Sequence, residues 1–137
     1  SILKDFISGK IYSIEKLKRS FPFPILHNVY SKDNLVIENH IKLLLNGPLK
    51  GYESIGLFCL GNINNAYLNT YTSLLKKNLN KKKLVFSKDF IDIIDCSSKI
   101  LITEIGNVSN IELKIAQEQL SLKNNNLIGM IVIYPGV

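Results

Sequence analysis

The sequence predicts an α/β domain: a three-layer fold of reduced size, with a mostly parallel sheet and helices on both faces. Three segments lack the polar alternation of a half-exposed strand, namely residues 55–60, 99–104 and 127–134. Strands buried on both faces of a parallel sheet have this composition. Two segments with apolar residues at helical spacing, residues 66–79 and 111–123, lie between them. Such alternation is typical of parallel strands joined by crossover helices.

Length and composition indicate one globular domain covering residues 1–137, since 46% of the residues are apolar and 20% are charged. Cys59 and Cys96 belong to no C-x-x-C pair or His/Cys cluster, which predicts buried free thiols. No signal peptide begins the chain, and no apolar run reaches the roughly 18 to 20 residues of a membrane span. Because the chain starts at Ser1 without Met, we expect a fragment that a membrane segment could precede.

The first third of the chain predicts a short helix and a strand. Residues 2–9 have the composition of a short helix or an extended arm. Ser13 is a candidate N-cap for a helix over residues 14–19, which the prolines of segment 21–24 bring to an end. Residues 24–30 then have the composition of a buried strand.

The remaining elements follow in an alternating order. Residues 35–46 have helical spacing and end at Gly47 and Pro48. Residues 84–86 predict a short strand, and residues 89–97 a short helix, with a strand as the alternative. The clearest helix, residues 111–123, has an N-cap candidate at Ser109 or Asn110 and ends at Asn124, Asn125 and Asn126. Its apolar-side residues recur at helical spacing: Ile111, Ile115, Ala116, Gln119, Leu120 and Leu122.

Residues 54–80 carry the most suggestive functional pattern. A strand, a polar turn at residues 61–65 and a helix form the layout of a nucleotide-binding P-loop. Ligands of parallel α/β sheets bind at the carboxyl ends of the strands. In this chain those ends are the turns at residues 61–65, 87–89 and 106–109.

The residues that a P-loop needs are missing from this turn. Gly56 and Gly61 have the G-x-x-x-x-G spacing, but no Lys and Ser/Thr follow to bind phosphate and Mg²⁺. Those two positions hold Asn62 and Ile63, or Ala66 and Tyr67 when counted back from the helix. An Asn-rich turn is also an ordinary strand-to-helix connection. We therefore predict a relic loop that binds no cofactor or metal, formed by Gly61, Asn62, Asn64, Asn65, Ala66 and Tyr67.

Other candidate residues give no catalytic set. Asp89 is better placed to cap the segment after it than to hold Mg²⁺. His27 and His40 have no partner visible in the sequence, which favours surface or strand-end positions. Glu104 follows a strand at the expected ligand edge, but a lone carboxylate there is usually solvated. These observations favour a non-enzyme.

An atypical ATPase or kinase is the first alternative. It would have to take its lysine from outside the loop, and the candidates are Lys81, Lys82, Lys83 and Lys88.

The net charge of +6, from 17 basic and 11 acidic residues, fits nucleic acid, an anionic membrane surface or solubility alone. The basic residues are dispersed, and the only tight run is Lys81, Lys82 and Lys83. No basic stretch is interleaved with stacking aromatics, so we expect no nucleic-acid partner. A nucleic-acid-binding module remains the second alternative.

At the level of pattern, the chain resembles the cytoplasmic C-terminal part of the Wzc-like polysaccharide co-polymerases. These are chain-length determinant proteins of the Wzz family fused to a tyrosine kinase domain with a P-loop. The resemblance runs through residues 6–29, 36–49, 55–60, 82–86 and 98–133. Residues 62–67 stand where that family has its phosphate-binding loop, and the magnesium-binding aspartate is lost or displaced to Asp89.

The resemblance implies the family's role without its kinase activity. It implies a non-catalytic scaffold domain in surface polysaccharide biosynthesis, on the cytoplasmic side of the inner membrane. Residues 1–34 would then be the juxtamembrane helix and strand that lead into the domain. The implied partners are other copies of the chain or components of the polymerase and export machinery. Anionic lipid of the inner leaflet is a further expected contact.

Overall fold

A computed structural model describes residues 9–122 and 127–136 of the chain. Its centre is one sheet of five strands: β1 (Ile25–Val29), β2 (Ser54–Leu60), β3 (Lys83–Ser87), β4 (Ser98–Glu104) and β5 (Leu127–Ile133). All neighbours pair in parallel, in the order β1-β5-β4-β2-β3. The predicted parallel α/β sheet is confirmed. Residues 2–8 of the predicted arm and the predicted helix end at Asn124, Asn125 and Asn126 lie outside the described residues.

Helices cover both faces of this sheet. They are α1 (Ile14–Ser20), α2 (Asn34–Asn46), α3 (Asn65–Asn78), α4 (Asn110–Ser121) and a 3-10 turn, η1 (Phe90–Ile93). α2 and α3 share one hydrophobic core with one face of the sheet. α1, η1 and α4 share a second core with the opposite face. The result is a small three-layer fold of the Rossmann or P-loop type. The helix predicted over residues 89–97 is reduced to η1.

Helix starts are set by side-chain caps close to where the sequence predicts them. Lys16 N–H donates to Ser13 Oγ at 3.3 Å at the start of α1. At the start of α4, Glu112 N–H donates to Ser109 Oγ at 3.1 Å, and Ser109 N–H donates to Glu112 Oε1 at 2.9 Å. This reciprocal capping box satisfies two backbone donors at once. Of the two predicted N-caps, Ser109 is therefore the residue that caps α4.

The orientation of α4 differs from the apolar spacing that predicts it. Leu113 and Ala116 are its buried residues, whereas Ile111, Ile115 and Leu122 are exposed, the first by 71%. Apolar residues occur on two sides of this helix, so periodicity alone does not identify the side that packs. The capping box and the sheet beneath determine the rotation of the helix, and they leave its outer side partly apolar.

A close approach between η1 and the sheet depends on Gly56 in the middle of β2. A Cβ atom at this position would lie 2.8 Å from Ile93 Cβ and 3.1 Å from Cys96 Cβ. Ile93 is fully buried, so it has no room to move away. The segment that carries the chain from β3 back past β2 to β4 therefore packs directly on the backbone of β2.

We expect Gly56→Ala to destabilise the protein by about 1–3 kcal/mol, because the added methyl overpacks the contact between β2 and η1. Urea unfolding followed by circular dichroism measures this. Gly51→Ala is the matched control, since a Cβ atom at Gly51 has nothing within 4 Å. Equal stabilities of the two variants would contradict the close packing on β2.

Candidate functional site

The candidate site lies where the two central strands end. β2 and β4 pair in parallel, from Ile55 opposite Ser98 to Leu60 opposite Thr103. After β2 the chain continues through α3, on one face of the sheet, to β3 at one edge. After β4 it continues through α4, on the opposite face, to β5 on the other side. Two neighbouring strands whose connections leave on opposite faces of the sheet form a topological switch point at their carboxyl ends. Folds of this type bind their ligands there.

The loop after β2 packs directly on the turn after β4. Gly61 has a φ of +82°, a conformation that favours glycine. A Cβ atom there would lie 2.6 Å from the carbonyl oxygen of Asn107. The N–H of Asn62 donates to the same oxygen at 2.9 Å. The loop thus closes on its neighbouring turn, whereas a phosphate-binding loop curves around an open centre.

Side chains of the protein itself occupy the N-terminus of α3. Asn64 Oδ1 accepts hydrogen bonds from the N–H groups of Ala66 at 2.9 Å and Tyr67 at 3.4 Å. The N–H of Asn64 donates to Glu104 Oε1 at 3.2 Å. A helix N-terminus attracts anions through such N–H groups. Here three of them already have an acceptor within the chain.

Glu104, the last residue of β4, is 2% exposed, so the prediction of a solvated carboxylate is wrong. Its Oε1 accepts from Asn64 N–H, and its Oε2 accepts from the side-chain amide of Asn107. No described residue forms an ion pair with it. Glu104 therefore supplies two acceptor oxygens of the protein's own beside the start of α3.

The predicted loop residues are all brought to this edge of the sheet. Gly61 is buried, Tyr67 is half-buried, and the exposed members are Asn62, Asn64, Asn65 and Ala66. Beside them is a cleft of about 220 Å³, lined by Lys32, Ile37, Asn64, Ala66, Tyr67 and Thr70. Lys32 Nζ lies 5.6 Å from the centre of the Tyr67 ring. The cleft thus borders the end of the loop and the start of α3.

The candidate lysines separate into two groups. Lys83 begins β3 and pairs with Ser54 at the start of β2, so Lys81, Lys82 and Lys83 lie at the amino edge of the sheet. A seven-residue strand such as β2 spans about 20 Å, which separates this run from the loop. Lys88 follows β3 at the carboxyl edge, near the thiol of Cys59. Burial raises the pKa of Cys59 to about 11, and the charge of Lys88 partly opposes this shift.

Asp89 occupies the N-cap position of η1, but its side chain makes no capping hydrogen bond. Ser87 instead links the two sides of this turn, since its Oγ accepts from Asp89 N–H at 3.0 Å and donates to Asp92 Oδ2 at 2.6 Å. The prediction that Asp89 caps this segment is thus correct for its position and wrong for its side chain.

The first described residues, 9–11, cover the other half of this edge, a contact that the sequence does not predict. The N–H of Ile11 donates to the carbonyl of Val108 at 2.7 Å, and Gly106 N–H donates to Ile11 at 2.7 Å. Asn110 N–H donates to the carbonyl of Gly9 at 2.9 Å. The first described residues therefore lie across the turn after β4, at the carboxyl edge of the sheet.

His27 and His40 are partners, so the prediction of two lone histidines at the surface or at strand ends is wrong. His27 on β1 is 6% exposed, and its ring stacks on that of His40 with centroids 3.8 Å apart. His27 Nδ1 lies 2.8 Å from the Tyr71 hydroxyl, and His40 Nε2 lies 2.7 Å from the carbonyl of Leu26. A contact between residues on β1, α2 and α3 leaves no local signal in the sequence.

The remaining features of the described residues are few. Cys59 and Cys96 are buried free thiols, as predicted. Within residues 9–122 and 127–136, no group of three or more His, Cys, Asp or Glu side chains could hold a metal ion. None of the helices in these ranges has the length and apolar character needed to cross a membrane. Comparison of the chain with protein-family models, curated proteins and solved structures finds no match.

Removing the Glu104 carboxylate should destabilise the fold. Glu104→Ala leaves the N–H of Asn64 and the amide of Asn107 without their acceptor, and we expect a loss of about 1–3 kcal/mol in urea unfolding. Glu118→Ala is the matched control on exposed helix surface, where we expect a change within about 0.5 kcal/mol. A Glu104→Ala variant as stable as the control would show that this carboxylate does not hold the two turns together.

Acidification should destabilise the protein through His27. Burial, reinforced by the charge of His40, lowers the pKa of His27 from 6.5 to about 4. The unfolded chain therefore takes up the proton first as the pH falls. The stability is complete above about pH 6.5 and decreases toward pH 4, by at most about 1.4 kcal/mol for each unit of pKa difference.

Urea unfolding at a series of pH values measures this loss, and the ring signals of His27 in NMR spectra report its pKa. His27→Gln keeps a polar partner for Tyr71 and should flatten the profile between about pH 6.5 and pH 4. A wild-type profile as flat as that of the variant would contradict the role assigned to His27.

Proposed function

We propose that this chain is a non-catalytic cytoplasmic domain of a chain-length determinant protein in surface polysaccharide biosynthesis, where it acts as an interaction scaffold. Two features support the proposal. The resemblance in pattern to the Wzc-like co-polymerases runs through most of the chain. The three-layer parallel fold is of the type on which a P-loop kinase domain is built.

The closed loop after β2 is the main observation in support of a non-catalytic domain. A nucleotide phosphate needs free backbone N–H groups and a lysine at this position. In this chain the N–H groups of Asn62 and Asn64 donate to Asn107 and Glu104, and Asn64 caps α3. These contacts support a domain in which the site has been filled by its own side chains.

Scaffolding is the role that this arrangement favours. A loop closed by internal hydrogen bonds keeps the sheet edge ordered without a ligand. The expected partners are other copies of this chain or the polymerase and export components of the same assembly. The cytoplasmic side of the inner membrane is the location that the resemblance implies for this domain.

An atypical nucleotide-binding domain is the second candidate, and one observation favours it. Among the lysines considered, Lys88 lies at the carboxyl edge, beyond the end of β3 and near Cys59. It could approach a nucleotide held over this edge from the side of β3. Lys81, Lys82 and Lys83 lie at the opposite edge and could not.

Titration calorimetry with ATP and with ADP, in the presence of Mg²⁺, separates the two candidates. We expect no binding at millimolar nucleotide, because the N–H groups of Asn62, Asn64, Ala66 and Tyr67 already have acceptors and no lysine directly follows the loop. Micromolar affinity that disappears in Lys88→Ala would establish the second candidate. Lys114→Ala, on the exposed surface of α4, serves as the control for a general loss of charge.

The polysaccharide role is tested in cells. Deleting this domain from its full-length protein should change the length distribution of the surface polysaccharide on gels. Lys88→Ala, an exposed substitution at the same edge, should leave that distribution unchanged, because the proposed domain uses no nucleotide. An unchanged distribution after deletion of the domain would overturn the proposed role.

A further inference from the structure

Five lysines converge at the amino edge of the sheet, beside the edge strand β3. We call Lys42, Lys50, Lys81, Lys82 and Lys83 the amino-edge lysines. A cleft of about 570 Å³ is lined by four of them, and a second of about 310 Å³ is lined by Lys42, Lys50 and Lys82. Lys50 and Lys82 line both clefts, so the two form one continuous basic surface.

This surface is poorly neutralised by the protein itself. Lys82 Nζ donates to the carbonyl of Lys50 at 3.0 Å and also to that of Tyr52, so its ammonium group ties two backbone segments together. Lys50, Lys81 and Lys83 form no ion pair with any described residue. Among the residues that the structure describes, Glu53 is the only carboxylate that lines the two clefts. The surface therefore favours an anionic partner.

β3 offers this partner a free strand edge. It ends the sheet, and none of the described strands pairs with its outer side. The N–H of Lys83 donates inward to the carbonyl of Glu53 at 3.0 Å. In a parallel strand the backbone groups alternate in direction, so those of Leu84 and Phe86 point outward. The Phe86 side chain is 39% exposed, with Lys76 Nζ 5.1 Å from its ring centre.

We propose that β3 accepts an acidic, extended segment of a partner protein as a sixth strand, with the carboxylates of that segment against the amino-edge lysines. Outward backbone donors and acceptors at strand spacing match another polypeptide strand. Lysines on an edge strand can also guard it against pairing. Here they gather at one end of β3, and no described strand pairs with the edge from Leu84 to Phe86.

The same geometry favours a protein partner over the bilayer. Lipid headgroups could neutralise the amino-edge lysines, but they offer no strand pairing for the outward backbone groups of Leu84 and Phe86. An acidic extended segment satisfies both the lysines and the free strand edge.

A synthetic peptide of about a dozen residues, alternating Glu with Val, is a suitable probe for this edge. NMR titration of the isotope-labelled protein should perturb the amides of Leu84 and Phe86 and slow their hydrogen exchange. The affinity should fall as salt is added. Perturbation confined to residues around the lysines, with the β3 amides unchanged, would overturn the strand addition.

Substitutions at Phe86 separate backbone pairing from side-chain contact. Phe86→Pro removes an outward N–H but leaves the inward bonds to β2 intact, and proline is tolerated at such an edge. We expect it to weaken peptide binding about tenfold, whereas Phe86→Ala, which keeps the N–H, should weaken it less than about threefold. Equal losses in the two variants would indicate an apolar contact and overturn the proposal.

Charge reversal tests the acidic character of the partner. The double variant Lys81→Glu with Lys83→Glu should lower the affinity for the peptide about tenfold, and Lys114→Glu on α4 should leave it unchanged. Vesicles containing phosphatidylserine and a DNA duplex are titrated in parallel. If the vesicles or the duplex bind through Lys81 and Lys83 more tightly than the peptide does, the proposed partner, an acidic protein segment, is wrong. The nucleotide titration is independent of all these outcomes, so failure here leaves the proposed function standing.

Discussion

The parallel pairing of β2 with β4 is the constraint on which the rest of the structure depends. It sets two strand ends side by side, with Leu60 opposite Thr103, and the Thr103 hydroxyl donates to the Leu60 carbonyl at 2.9 Å. Because the two following helices leave on opposite faces, the turns after β2 and β4 meet at the carboxyl edge. The position of Glu104 beside the start of α3 follows from this register.

The same pairing explains how the site can close. In folds of this type the edge between diverging connections is open to a ligand, which supplies acceptors for exposed N–H groups. In this chain Asn107 and Glu104 supply those acceptors from the neighbouring turn. The N–H groups of Asn62, Asn64, Ala66 and Tyr67 therefore have acceptors within the chain, and the edge is ordered without a ligand. Asn107 and Glu104 thus have a structural role, since each holds one turn to the other.

Much of the fold could be predicted from local patterns. Ser13 and Ser109 start helices where their sequence position indicates, and the strands without polar alternation form the buried centre of the sheet. The predictions that were wrong concern groups whose environment comes from distant segments. Glu104 is buried because the turn at residues 61–64 covers it, and His27 is buried against His40 and Tyr71, from two different helices. α4 has apolar residues on two sides, and its packing on the sheet determines which side is buried.

The sequence by itself determined the fold class, the positions of most helices and strands, and the absence of a Lys and Ser/Thr from the loop after β2. These depend on composition and on short-range periodicity, which the chain carries within a few residues. Only the tertiary structure decided that the loop is closed by Glu104 and Asn107, that Lys81 to Lys83 lie a strand length away from it, and that β3 ends the sheet. Strand order and parallel register bring together residues about 40 positions apart, and no local pattern encodes which of them meet. Residues 54–80 resemble a phosphate-binding strand, loop and helix in outline, but hydrogen bonds to the turn after β4 close their loop.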